Sequence, residues 1–139
     1  GNTWQEQYDL GVRYLAEGNY EEAIIAFTAA IEIDPNRVEA YMGRGDAYVG
    51  SGEMEENLTA ALADYETAVA LDETLVDAWF RLAEVYISRG DYDMALEVLY
   101  SGIESCGNYG ADPRSREYAR WLLQLGRVCS DGRDLRRIV

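Results

Sequence analysis

Two stretches of this 139-residue chain repeat one another at a constant offset of 72 residues, and no other property of the sequence restricts its fold as tightly. Asn19-Tyr20-Glu21-Glu22-Ala23 aligns with Asp91-Tyr92-Asp93-Met94-Ala95, each directly after a glycine, Gly18 or Gly90. Leu10, Gly11 and Tyr14 align with Leu82, Ala83 and Tyr86, while Phe27 and Ala30 align with Leu99 and Gly102. A third copy lies between them, carried by Gly45, Tyr48, Gly52, Ala61, Tyr65, Ala68 and Leu71-Asp72. It has four extra residues after Gly52, so the offset divides into 34 and 38. A period in this range marks stacked supersecondary units, none of which can bury its apolar face alone.

The spacings within each copy are three, four and seven, which place the repeated side chains on one face of a helix. Gly11, Ala23, Ala30 and their equivalents are small enough to let two helix backbones approach. Tyr14, Phe27, Tyr48, Tyr65, Tyr86 and Leu99 are large enough to fill the space between them. Three such hairpins in succession can bury these faces against their neighbours. Composition agrees, with 48% apolar residues, 27% charged residues and only 2 prolines, as expected of a helical globular chain. No apolar run approaches the roughly 18 to 20 residues that cross a bilayer, so no membrane-spanning segment is expected.

On these residues the chain resembles the tetratricopeptide repeat family, whose unit is two antiparallel helices. The resemblance implies an all-α, right-handed α-solenoid of three helix hairpins plus a C-terminal capping helix, in a single domain over 1–139. The repeats span 4–37, 38–75 and 76–109, the capping helix 113–130, and a short basic tail 131–139. Repeat two departs from the pattern at Arg44, where the family usually has a larger apolar residue. Repeat three ends in Cys106-Gly107 rather than the Asp34-Pro35 type of closure.

Capping residues support these boundaries. Thr3 with Glu6, Asn19 with Glu22, and Asn36 with Glu39 read as capping boxes or close variants. Thr74 and Asp91 read as N-caps, and Asp112-Pro113 as a helix start. Helices are expected at about 4–17, 20–34, 37–51, 57–72, 75–89, 92–106 and 113–130. The insertion Glu53-Met54-Glu55-Glu56 is expected to be partly helical, with its acids near the positive N-terminal end of the helix. In the last helix Tyr118, Trp121, Leu122, Leu125 and Val128 form an apolar stripe, with Arg114, Arg116, Arg120 and Arg127 mostly off it.

Chemistry is limited by what is missing. The sequence has neither histidine nor lysine, so all 12 cationic side chains are arginine. Histidine triads, histidine metal sites and Schiff-base lysines are excluded, and no catalytic residue, cofactor or metal is expected. Carboxylate pairs drawn from Asp46, Asp77 and Glu84 are the one enzymatic alternative, of the kind that hydrolyses glycosides, and solvated helix faces explain them more simply. Residues 1–112 hold 23 acids and 5 arginines, a balance of −18, whereas 113–139 hold 3 acids and 7 arginines, a balance of +4. The two parts should attract, and the acidic body argues against nucleic acid as a partner. The exception would be the basic end bearing Arg133, Arg136 and Arg137. Cys106 and Cys129 are not expected to pair, because some sixteen helical residues separate Cys129 from the start of its helix, about 24 Å. The Asn57-Leu58-Thr59 sequon is expected to be accidental.

In proteins similar to this one, the first helix of each repeat lines a concave groove that holds a peptide or a partner's helix. Carried over, the partner-binding positions are Gln5, Tyr8, Asp9 and Val12; Glu39, Met42, Gly43 and Asp46; and Asp77, Phe80, Arg81 and Glu84. They form an apolar floor with acidic walls. One subgroup of the family clamps the acidic C-termini of heat-shock chaperones with cations, and of the matching positions Tyr8, Val12, Gly43, Asp77 and Arg81 only Arg81 fits. The expected function is a non-catalytic protein-protein interaction module that prefers basic and apolar segments to acidic ones. The alternative is a structural or self-associating module, a homodimer through the Trp121 helix or the solenoid end. The chain opens on Gly1, as expected of a chain trimmed of an export or lipoprotein segment, and acidic repeats of this type occur in bacterial envelope and secreted proteins as well as in the cytoplasm. The expectation leans toward a bacterial extracytoplasmic protein.

Overall fold

The structure is a computed structural model that describes residues 3–52, 54–106 and 116–131. Among these residues there is no strand, and seven helices follow one another: α1 Trp4–Ala16, α2 Tyr20–Ile33, α3 Val38–Gly50, α4 Glu55–Leu71, α5 Val76–Ser88, α6 Tyr92–Cys106 and α7 Arg116–Asp131. The chain divides into two compact units, residues 1–72 and 73–139. In the first, α1 pairs with α2 and α3 with α4, and α3 also packs on α2. In the second, α5 pairs with α6, and α7 packs on α6.

The turns inside the hairpins explain why the repeats keep their glycines. At the end of α1 the Gly18 N–H donates to the Leu15 carbonyl and the Asn19 N–H to that of Tyr14. At the end of α5, Gly90 and Asp91 donate in the same way to Ile87 and Tyr86. This closure needs a left-handed residue, and Gly18 and Gly90 supply it at φ 78° and 79°. Asn19 serves both helices, its N–H closing α1 and its carbonyl accepting from the Ala23 N–H as the residue before α2, but its side chain donates to Glu17 and makes no cap hydrogen bond. The expected box with Glu22 does not form.

Other caps divide similarly. Thr3 behaves as expected, its hydroxyl accepting from the Glu6 N–H at 3.1 Å and donating to the Glu6 carboxylate at 3.0 Å. Asn36 does not cap α3. Its N–H is drawn back to the Asp34 carboxylate, and the helix starts two residues later behind Arg37. Thr74 is displaced by Leu75 as the residue preceding α5. Asp112-Pro113 lies outside the described residues, as do Arg114, the tail arginines and the side chains of Tyr118, Leu122 and Cys129. Of the insertion in repeat two, Glu55 and Glu56 form the first turn of α4 and Met54 precedes it, so that α4 has 17 residues against 14 in α2; Glu53 lies outside the described residues.

The core of the first unit is built on one ring. Phe27 is fully buried between α1 and α3, and both helices present a glycine to it. A Cβ at Gly11 would lie 2.6 Å from Phe27 Cε1, and a Cβ at Gly43 would lie 2.5 Å from Cζ. Tyr65, the equivalent in α4, faces Gly45 at the same kind of distance, 2.6 Å from the position a Cβ would take. Ala23, Ala30, Ala40 and Ala47 complete the cluster with no exposed surface.

Gly43→Ala is expected to lower stability by about 1–2 kcal/mol, because overpacking against Phe27 outweighs the roughly 1 kcal/mol that alanine contributes inside a helix. Urea denaturation of Gly43→Ala and of Gly43→Ala with Phe27→Leu checks this, the smaller core residue recovering part of the loss.

Candidate functional site

In the first unit the expected partner-binding positions on α1 and α3 meet around Tyr8. Its ring stacks on Trp4 with centroids 4.8 Å apart and 12° between planes, and it leans on Phe27 at 5.8 Å. Trp4 is buried, and the Arg37 guanidinium lies 3.4 Å above its ring. Tyr8 itself is half-buried. Burial pushes its phenol above the ordinary tyrosine value, and the carboxylates of Glu39, Asp9 and Asp46 push it further in the same direction. Residues from two helices thus place three anions around one aromatic side chain.

The rim of this site is open. Asp9 and Glu39 are exposed, Val12 is 42% exposed, and Met42 is half-buried beside them. Gln5, also exposed, donates to Asp9 at 2.8 Å and orients it. Two positions serve the interior. Gly43 faces Phe27, and Asp46 accepts the Tyr65 hydroxyl at 2.5 Å while contributing its charge to Tyr8.

The equivalent positions of repeat three, in the second unit, are brought together but are already engaged by α7. Phe80 is only 7% exposed and meets the Trp121 ring edge-on at 4.6 Å. Arg120 pairs with Asp77 at 3.0 Å and lies 4.6 Å above Phe80. Arg127 donates to both carboxylate oxygens of Glu84. Arg81 is half-buried. Among the described residues, Arg120–Asp77 and Arg127–Glu84 are pairs of the kind that the acidic body and basic end should form. Trp121 is fully buried, whereas Leu123 on the same helix is 73% exposed.

Arg44 was legible only as an exception, and its partner explains it. The guanidinium donates to both oxygens of Asp64, at 2.9 and 2.7 Å, and to the Thr28 hydroxyl at 3.1 Å, tying α3 to α4 and α2. By the repeat offsets Arg44 corresponds to Leu10 and Leu82, and Asp64 to Ala26 and Val98. An apolar pair in repeats one and three is thus a charged pair in repeat two. In repeat one, Leu10 and Ala26 line an open cleft of about 180 Å³ with Tyr14 and Ile25. Burial raises the Asp64 carboxyl above the ordinary range, and the Arg44 hydrogen bonds and charge oppose that rise. The same bonds raise the Arg44 guanidinium.

Among the described residues no cluster of acids and cysteines is arranged to hold a metal ion, and no helix is long and apolar enough to cross a membrane.

Removing one partner of the Arg44–Asp64 pair strands the other. Arg44→Leu is expected to cost about 3 kcal/mol, and Arg44→Leu with Asp64→Ala, which installs the pair found in repeat one, to recover most of it. Without Arg44 the Asp64 value rises further, so the folded state binds its proton more tightly than the unfolded chain. The deficit of Arg44→Leu should therefore shrink on acidification and grow as pH rises through the raised value, as denaturation at several pH values would show.

Comparison with known proteins adds to this geometry. A family profile described as TPR repeat matches residues 11–52, and one described as Tetratricopeptide repeat matches 54–104. No curated protein matches the chain. Among solved structures, the TPR2B domain of yeast Sti1, in a complex with pHsp70, is 20% identical, with TM-score 0.75 over 91% of this chain and 96% of that one. The Sgt2 TPR domain of Aspergillus fumigatus is 25% identical, with TM-score 0.72 over 94% and 82%. The Yersinia enterocolitica type III secretion chaperone SycD, in complex with a peptide of the translocator YopD, is 21% identical, with TM-score 0.73 over 89% and 90%.

Proposed function

Because the chain belongs to the tetratricopeptide repeat family, whose helix hairpins make up its all-α fold, we propose that it is a non-catalytic protein-interaction module holding a peptide or partner helix against the α1–α3 face. The observation that carries this reading is the convergence of Asp9, Glu39 and Asp46 on the half-buried Tyr8, beside the exposed Val12. An aromatic and aliphatic floor supplies contact area, and the surrounding anions select what lies on it. The preferred ligand is a segment in which arginine or lysine alternates with apolar anchors. Several structurally similar domains are solved with peptides, among them the first TPR of Spaghetti (RPAP3) with the HSP90 peptide SRMEEVD. A peptide with such an acidic end would meet Asp9 and Glu39 here with the wrong sign.

A catalytic role is not proposed. Asp46, Asp77 and Glu84, the carboxylates best suited to two-carboxylate chemistry, are held by Tyr65, Arg120 and Arg127. A self-associating role through the Trp121 ring would require that ring to leave its buried place, so any dimer built on α7 would use the Leu123 side.

The test is a peptide array read at two ionic strengths. Basic–apolar peptides should be retained over acidic ones, and added salt should weaken them. Asp9→Arg with Glu39→Arg, both at exposed positions, should reduce affinity for a basic peptide about tenfold and leave the helical signal unchanged. Preference for acidic peptides would overturn the reading.

A further inference from the structure

Two uncovered faces of this chain match one another. We infer that the chain assembles head to tail, the Leu123 side of α7 in one copy seating in the cleft between α1 and α2 of the next. The contact uses none of the residues of the α1–α3 face, so it stands apart from peptide binding there.

Each face is one that the repeats cover elsewhere in the chain. In repeat two the positions of Leu10 and Ala26 are held by Arg44 and Asp64, and α2 lies on them through Thr28. In repeat one the same positions form the floor of the open cleft beside Tyr14, with Gln7, Glu22 and the exposed Ile25 around it. On α7, the 43-residue offset of the Arg120–Asp77 and Arg127–Glu84 pairs puts Gly126 at the place of Ala83, and hence of Gly11 and Gly45. Phe27 presses on Gly11 and Tyr65 on Gly45, whereas a Cβ at Gly126 would meet nothing within 4 Å among the described residues. A glycine inside a helix is destabilising relative to alanine, and no described neighbour accounts for this one.

The occupant is a second copy because each face supplies what the other lacks. Leu123 and Ile25 are the two most exposed aliphatic side chains among the described residues, at 73% and 69%. Leu123 is a knob for a cleft of about 180 Å³, and Ile25, at the edge of that cleft, finds bare backbone to lie on at Gly126, three residues from Leu123. Charge permits this contact and disfavours others. At a net charge of −14, most of the surface repels a second copy. Leu123 stands between Arg120 and Arg127, three residues before it and four after, where they share its helix face. Their guanidinium groups already balance Asp77 and Glu84, so an approaching Glu22 meets N–H donors in place of uncompensated carboxylates. Because the two surfaces differ, the contact is heterologous and can repeat from copy to copy.

Sedimentation equilibrium of the full chain, carried to about 1 mM because so small a contact is weak, tests this. The weight-average mass should rise with concentration past that of a dimer. Leu123→Glu and Ile25→Glu should each remain monomeric and, both positions being exposed, keep the helical signal. Mixed one to one, they should form a dimer and nothing larger, because each variant retains the face that the other has lost. Gly126→Glu, whose Cβ enters open space, should also remain monomeric, and it takes the place of Leu123→Glu in the mixture should that variant lose its helical signal. Three results would each overturn the inference. They are a wild-type chain monomeric throughout, which would leave the cleft to a different partner; a dimer that survives Ile25→Glu, which would be a symmetric contact through α7; and a mixture of folded variants that fails to pair.

Discussion

A ring pressed against the place where a side chain is missing sets the distances on which the rest of the structure depends. Phe27 is flanked by Gly11 on α1 and Gly43 on α3, so both helices approach to the thickness of the ring. That approach brings Tyr8 on α1 within the field of Glu39 and Asp46 on α3. Were either glycine an alanine, the helices would part or the ring would turn, and the acidic surroundings of Tyr8 would loosen with them. Packing and electrostatics are in this way one constraint. The second unit uses the same device with the donor changed, since the ring that fits against Gly102 is Trp121 of α7, whose outermost atom lies 2.4 Å from where a Cβ would be.

Repeat two shows how far one position in such a scaffold can depart from its neighbours. A lone Arg44 in the place of Leu10 and Leu82 would be costly, and a lone Asp64 in the place of Ala26 and Val98 more so. Together they form a two-pronged contact extended to Thr28, which links three helices with directional bonds where the other repeats rely on apolar fit. Such a pair contributes less to stability than its geometry suggests, because both groups are desolvated to make it. Its contribution is orientation. It holds α3, and with it Glu39, Met42 and Asp46, at a fixed rotation against α2 and α4.

Much of this was legible in the sequence, for identifiable reasons. Helix ends were readable within two residues where a glycine had to supply positive φ, as at Gly18 and Gly90, because no other residue does so cheaply. Caps were less readable, because one residue can serve the helix before it or the helix after it. Asn19 has the side chain of an N-cap and stands at the start of α2, but its N–H closes α1 and its side chain turns to Glu17. Asn36 is committed to Asp34 in the same way. That Tyr8, Glu39 and Asp46 lie on the first helices of successive repeats could be read from the repeat register, because the offsets fix their positions. The Arg44–Asp64 pair could not be anticipated from the arginine alone. Its signal was double, a cation and an anion each replacing an apolar residue in one copy, and it appears only when both helices of the hairpin are compared.

The engagement of α7 illustrates a different limit. Composition showed an acidic body and a basic end that should attract, and an apolar stripe that should pack, but neither carries a register. The register comes from geometry, with two arginines seven residues apart meeting two acids seven residues apart on a parallel helix. A shift of one turn would break both pairs and move Trp121 off Phe80. Because the pairs are exposed, they contribute little adhesion, and the burial of Trp121 contributes most of it. Charge selects the alignment and the aromatic ring supplies the attachment. The α1–α3 face is built on the same division, with the ring of Tyr8 on the floor and carboxylates at its edge, so a helix recognised there would be read by the same two properties.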